Sequence, residues 1–516
     1  MLLAARRIIR QPVIGGNRRE AGAMARDWLG FGAHPRGLST LFTTELWERF
    51  SYYGMRALLV LYMTAPVAAG GIALSTAEAG RIYGNYTMAV YLLAIPGGYI
   101  ADAYLGARRA VMIGGVMIAC GHFALAVPAL PMFFAGLALI AIGTGLFKPS
   151  ISALVGALYA KDDARRDAGF SIFYMGINIG AFIAPLVTGF LAQSTWFKAW
   201  LAARGFDPAM SWHWGFAAAG VGMVLAVASF RARQDVFRAS ETAPQRGDDS
   251  ARHAALVLAG TAALLVLLVL SDRPGLTWLR AIFIVVPAAA IAWFARSEQA
   301  DGRRIAAVFV LFLASMLFWA IFEQAGVSIA LFADRLTHNE VMGQPFPSAW
   351  YQALNPLFVI VLAPLFAWGW VRLGERQPSA PAKFVLGLVF LAASFLLMVP
   401  AAKLAVAGKV SPLWLVGLFF LQTLGELCLS PVGLSTMTRI APAGWSALVL
   451  GIWFLAASWG SKLAGILGAR FSAEEAGTLA WFFLEQAILV AVCAVALATL
   501  VPWVQRLMGE ERAGAK

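Results

Sequence analysis

Residues 254–270 and 386–402 carry no charged side chain at all, and comparable apolar blocks recur along the chain. Blocks of about 20 apolar residues match a hydrocarbon layer roughly 30 Å thick. Hydrophobic residues make up 60% and charged residues 13% of the sequence, against about 25% charged in soluble domains. A soluble fold cannot hide that much apolar surface, so the chain is expected to be an all-α integral membrane protein.

The net charge of +13 does not point to nucleic acid. The basic residues are spread over short connections between apolar blocks, which is the pattern of membrane topology. Cys120, Cys428 and Cys493 lie far apart within apolar blocks, and the five histidines are scattered. Neither a disulfide framework nor a metal site follows, and no cofactor is expected.

The blocks predict fourteen spans. Six run near 41–66, 76–103, 109–128, 131–159, 168–194 and 212–231. Two lie near 253–271 and 278–295. The last six run near 305–332, 350–371, 383–403, 412–437, 446–469 and 479–504. The expected organisation is a cytoplasmic tail (1–40), a six-helix bundle (41–231), a cytoplasmic linker (232–252) and an inserted helix pair (253–297). A second six-helix bundle (305–505) and a cytoplasmic tail (506–516) follow. Met24 is a second candidate start, and the tail before residue 41 offers no apolar stretch of signal-peptide length. With the N-terminus inside, about 27 Lys/Arg fall on the inner side and roughly 9 on the outer, as the positive-inside rule demands. The halves echo each other: Trp47, Phe50 and Gly54 align with Trp319, Phe322 and Gly326, and Pro149 aligns with Pro431. Two repeated halves are a common transporter plan.

The charged stretch ELWERFSYYGMR, residues 45–56, lies within the first span. At 100° per residue, Glu45, Glu48, Arg49, Tyr52 and Arg56 share a helical face about 100° wide, with Tyr53 at its border. Each charge at the bilayer centre costs roughly 2.5–3.5 kcal/mol, so these groups must face one another and a wet cavity. A network that merely fixes packing is the plainer reading, but buried ion pairs stabilise poorly compared with apolar contacts. Two carboxylates one turn apart also resist simultaneous ionisation, which suits a proton-exchanging site.

Other spans carry matching polar groups: Lys148, Tyr174 with Asn178, Trp319 with Glu323, Glu426 with Ser430, and single residues Asn355 and Tyr91. Tyr174, Asn178 and Trp319 fit ordinary helix packing equally well, whereas a lone mid-span carboxylate or ammonium needs a counter-charge or a proton. Lys462, near the end of its span, is expected to snorkel to the interface. Together the groups describe one cavity with carboxylates at one pole and cations at the other, suited to a zwitterion.

Residues 45–54 resemble the ExxERFxYYG signature of the proton-dependent oligopeptide transporter family, within the major facilitator superfamily. GGYIADAYLGARR (97–109) resembles that family's loop between its second and third helices. FYMGINIGAF (173–182) resembles its fifth-helix motif, and GELCLSP (425–431) its tenth. The resemblance implies a proton-coupled symporter that imports di- and tripeptides by alternating access, as a monomer in the cell inner membrane with both termini cytoplasmic. It implies that Glu45, Glu48 and Arg49, paired with Lys148, couple the proton. Arg56 and Lys148 would hold the peptide carboxylate, and Glu426, Asn178 and Asn355 the amine. Tyr53, Tyr91, Tyr174, Trp319, Ser430 and Trp453 would line side-chain pockets, and Glu323 would pair with Arg56 as the outer gate closes. Ala181 departs from the usual serine, and the second span has no histidine. The family also contains carriers of nitrate and other anions; an intact ExxER motif with Glu426 favours peptides. A membrane-embedded enzyme would need a nucleophile with its base, or clustered metal ligands, and the sequence offers neither.

Overall fold

At membrane depth no water pairs with backbone N–H and C=O groups, so the chain must satisfy them within helices. The computed structural model describes residues 31–32, 34–160, 163, 165–238, 250–279, 281, 302–440, 446–473 and 476–508. Thirteen long helices lie among these residues. They are α1 (Gly37–Thr64), α2 (Thr76–Leu92), α3 (Ala107–Leu125), α4 (Leu130–Ala157), α5 (Arg166–Gln193) and α6 (Ser211–Arg233). The inserted α7 (Ser250–Leu270) follows, then α8 (Gly302–Phe322), α9 (Leu354–Leu373), α10 (Ala380–Leu404), α11 (Leu413–Ile440), α12 (Ser446–Gly468) and α13 (Ala476–Met508). Most of the second inserted span, the N-terminal tail to residue 30, linker residues 239–249 and residues 509–516 lie outside the described residues.

Two spans are broken, and each break has a local cause. α2 starts on a capping box between Ser75 and Glu78, then continues through Ala94–Ile100 and a π turn at Ala101–Leu105. Gly106, with φ +75°, turns the chain sharply into α3, a conformation that favours glycine. α8 gives way to a 3₁₀ turn, Glu323–Gly326, before the helix Ser328–Leu336 resumes. The linker is less loose than its composition suggests. The 3₁₀ turn Gln234–Phe237 extends α6, and Phe237 is buried, stacked on Phe230 with centroids 5.5 Å apart.

Equivalent helices pair in the two halves. α1 packs on α5 as α8 packs on α12, and α3 packs on α4 and α6 as α10 packs on α11 and α13. Pro149 in α4 and Pro431 in α11 occupy corresponding helices. The halves meet along α2 with α12 and along α5 with α9 and the 3₁₀ turn Ser348–Ala353. Cross-half hydrogen bonds gather on the face where α1 ends. Gln193 Nε2 donates to Ser348 Oγ at 2.9 Å, the Ala349 N–H donates to Gln193 Oε1 at 3.0 Å, and the Trp350 indole donates to the Leu186 carbonyl at 3.0 Å.

Among the described residues, ten helical segments are long and apolar enough to cross a bilayer, and α1 is excluded from them by its charges. It is instead buried almost end to end, which keeps those charges from lipid. Glycines permit this closeness: a Cβ on Gly180 of α5 would lie 2.2 Å from the Leu46 carbonyl oxygen. Overpacking of this kind costs about 1–3 kcal/mol. Gly180→Val is therefore expected to lower the thermal midpoint of detergent-purified protein, whereas Gly260→Ala, with open space around it, leaves it in place. Equal midpoints for the two variants would contradict the packing described.

Candidate functional site

The carboxylates of α1 are paired within the helix itself. Glu48 is fully buried and Glu45 and Arg49 nearly so. Arg49 grips Glu48 with two bonds, Nε to Oε2 at 2.5 Å and Nη2 to Oε1 at 2.8 Å, and its Nε also lies 3.2 Å from Glu45 Oε1. The other Glu45 oxygen, Oε2, is buried without a hydrogen bond among the described residues. The guanidinium also sits 5.2 Å from the centre of the Tyr52 ring. The bidentate fork exploits the planar geometry of arginine. Lys148, expected to pair with one of these carboxylates, lies instead with Nζ 4.6 Å from the centre of the Tyr91 ring. Its charge is met there by the negative face of the ring.

Two turns further along α1, Arg56 crosses to the other half. Its guanidinium forms a salt bridge with Glu323, and its Nε donates to Tyr83 Oη at 2.7 Å. The Tyr53 and Tyr83 rings flank it, with centroids 5.9 and 5.6 Å away. Only 13% of the Arg56 side chain is exposed, so the pair is largely withdrawn from water. The break in α8 brings Glu323 into place: a Cβ on Gly326 would meet Tyr83 Oη at 2.2 Å, so only glycine lets the 3₁₀ turn lie against α2.

A second acidic group occupies the C-terminal half. Asn355 Nδ2 on α9 donates to Glu426 Oε2 at 2.8 Å and to Thr423 Oγ1 at 3.0 Å, both on α11. Asn178 Nδ2 donates to the Tyr174 carbonyl of its own helix at 3.0 Å, and Tyr174 is 47% exposed. Trp319 packs edge-on against Phe318 and Phe322. Ser430 is partly exposed on α11.

Trp453 is 5% exposed, wedged against Gly433 and the Phe384 ring. It presents little open surface and instead holds α12 against α11.

The contacts therefore form groups: Glu45, Glu48 and Arg49; Arg56, Glu323 and Tyr53; Lys148 and Tyr91; Asn355 and Glu426; Tyr174 and Asn178. Trp319, Ser430 and Trp453 are not bonded to these groups among the described residues. Sequence reasoning missed Tyr83 and Thr423. Each was detectable in principle, Tyr83 as a mid-span phenol on the second span and Thr423 as the hydroxyl one turn before Glu426. It also misplaced Lys462. That side chain is 3% exposed and forms a salt bridge with Asp272, 2.8 Å away, so it does not snorkel. A partner from the inserted pair was not visible in the local pattern.

Comparison with known proteins identifies the family. The family profile of the POT family matches residues 108–482. The chain is 39% identical to a peptide transporter of Yersinia enterocolitica, over 93% of this chain and 96% of that one. It is 38% identical to a di-/tripeptide transporter of Lactococcus lactis subsp. cremoris, over 93% and 98%. A crystal structure of a peptide transporter in complex with alafosfalin superimposes with a TM-score of 0.84 at 39% identity, covering 96% of this chain and all of that one. A POT family transporter in complex with 5-aminolevulinic acid gives 0.82 at 29% identity. The architecture is accordingly the major facilitator one, two six-helix bundles with an insertion, and the protein is a transporter and not an enzyme. The chain belongs to the proton-dependent oligopeptide transporter (POT) family.

Proposed function

We propose that this protein imports di- and tripeptides together with protons by alternating access, working as a monomer. The basic connections face the cytoplasm, both termini lie there, and the face where α1 ends is the outer one. The observation that carries the reading is the Arg56–Glu323 salt bridge, which spans the two halves beside Tyr53 and Tyr83. This bridge would hold the outer side shut. Relatives named as di-/tripeptide transporters support the substrate class.

Protonation of Glu323 removes its charge, releases Arg56 and lets the outer side open. Arg56 then takes the peptide carboxylate, with Lys148 as the second cation, while Glu426, oriented by Asn355, takes the amine. Bound peptide neutralises both poles, so the halves close over it. Opening inward, the proton leaves and Arg56 returns to Glu323. The Glu45–Glu48–Arg49 cluster provides the second protonatable locus: a proton on Glu48 would free Arg49 from its bidentate grip. Breaking a buried pair by removing one partner typically costs about 3–5 kcal/mol, enough to bias a two-state equilibrium strongly.

Purified protein in liposomes, with the outside acidified, is expected to accumulate labelled dialanine. Unlabelled dialanine should compete and nitrate should not; competition by nitrate alone would overturn the peptide reading. Glu48→Gln is expected to reduce pH-driven uptake by about tenfold or more while sparing dialanine counterflow, because it removes the proton locus and keeps the cavity. Full pH-driven uptake by this variant would remove Glu48 from the coupling scheme. Glu426→Gln should weaken binding of dialanine by about tenfold yet change the affinity for N-acetyl-dialanine little, since only the free amine carries the charge it meets. Equal losses for both ligands would argue against an amine pole at Glu426.

A further inference from the structure

A second charged group closes the outer seam, and it recruits the insertion. Asn85 lies on α2 in the first half, Lys462 on α12 in the second, and Asp272 just beyond the end of α7 in the inserted pair. Lys462 Nζ donates to Asp272 Oδ1 and Oδ2, both at 2.8 Å. Asn85 Nδ2 donates to Asp272 Oδ2 at 2.7 Å, and Asn85 Oδ1 accepts from Lys462 Nζ. The amide thus meets the carboxylate with its N–H and the ammonium with its oxygen, satisfying both charges in one orientation. The Lys462 side chain is 3% exposed and that of Asp272 10%.

This group sits beside a close approach of backbones from the two halves. A Cβ on Gly465 would lie 2.4 Å from the Gly80 carbonyl oxygen, and one on Gly84 3.1 Å from that of Lys462. One turn deeper, Ser458 Oγ donates to the Met88 carbonyl at 3.1 Å. Contact between glycine-lined backbones gains little from apolar burial in a membrane, where lipid is equally apolar. The seam must part for the outer side to open, and the three-way bridge must break with it.

We infer that Asp272, through Lys462 and Asn85, is a positioning residue of the outer gate, so that the inserted pair takes part in the transport cycle. The inference rests on the alternating-access reading above. With Asp272 neutralised, buried Lys462 loses the carboxylate that it meets with two bonds, and the ammonium gains from the water that an open seam admits. Neutralising Lys462 takes the ammonium from Asp272 in the same way. Neutralising both removes the mismatch and restores the closed seam.

The test uses the full chain with its three cysteines replaced by serine and spin labels introduced through Val67→Cys and Met342→Cys. These positions, 70% and 98% exposed, lie on the outer face of opposite halves. Pulsed EPR without substrate should show a dominant short distance in the parent. Asp272→Asn and Lys462→Met should each raise the ratio of long to short distances by at least about threefold. The combined variant should return the ratio toward the parent value. Ratios in both single variants equal to the parent, even with lowered thermal midpoints, would overturn the inference and leave the group a mere staple. Should Asp272→Asn not fold, Asn85→Ala carries the same expectation and the same overturning result. The distance readout needs no transport. A parent that moves no dipeptide would sink the proposed function, whereas unchanged distances would sink only this gate.

Discussion

A charge inside a membrane must find a counter-charge or water, and the first helix carries four charges within three turns. The structure answers by burying α1 inside its own half against α5 and α6 and by dividing its cations between two tasks. Arg49 stays on α1 and neutralises Glu48 and Glu45. Arg56 reaches across to Glu323. The first arrangement makes insertion of the helix tolerable, and the second ties the halves together.

The same logic explains why the halves are held by polar groups at all. Apolar side chains cannot discriminate between a partner helix and lipid, so a seam that opens and closes needs directional bonds. They recur across the interface: Gln193 with Ser348, Trp350 with the Leu186 carbonyl, Arg56 with Glu323, and Lys462 with Asp272 and Asn85. Each must be resolvated when the seam parts. The ion pairs are the members of this set with formal charge on both partners.

Much of this was legible in the sequence. The apolar blocks place the spans within a few residues of the helices found, because hydrocarbon thickness fixes helix length. The spacing of Glu45, Glu48, Arg49 and Arg56 puts them on one face, and Arg56 does meet Glu323. What the sequence could not show was the choice among partners. Lys148 was assigned a carboxylate and instead sits over Tyr91, because Arg49, one and four residues from the two carboxylates, reaches both without crossing a helix boundary. Lys462 looked like a snorkelling side chain because its partner, Asp272, is some two hundred residues away in a segment with no counterpart in the two repeats. Trp453 looked like a pocket wall until Gly433 appeared beneath its ring. Helical periodicity orders residues around one axis, but pairing between axes depends on crossing geometry that periodicity does not contain.

The central question is whether ligand and proton share these bridges. The most direct measurement loads liposomes containing the purified protein with a pH-sensitive dye, clamps the membrane potential at zero and imposes an inward gradient of dialanine with equal pH on both sides. Coupling through shared bridges predicts that dialanine entry acidifies the lumen. Dialanine entry with no change in lumen pH would contradict it.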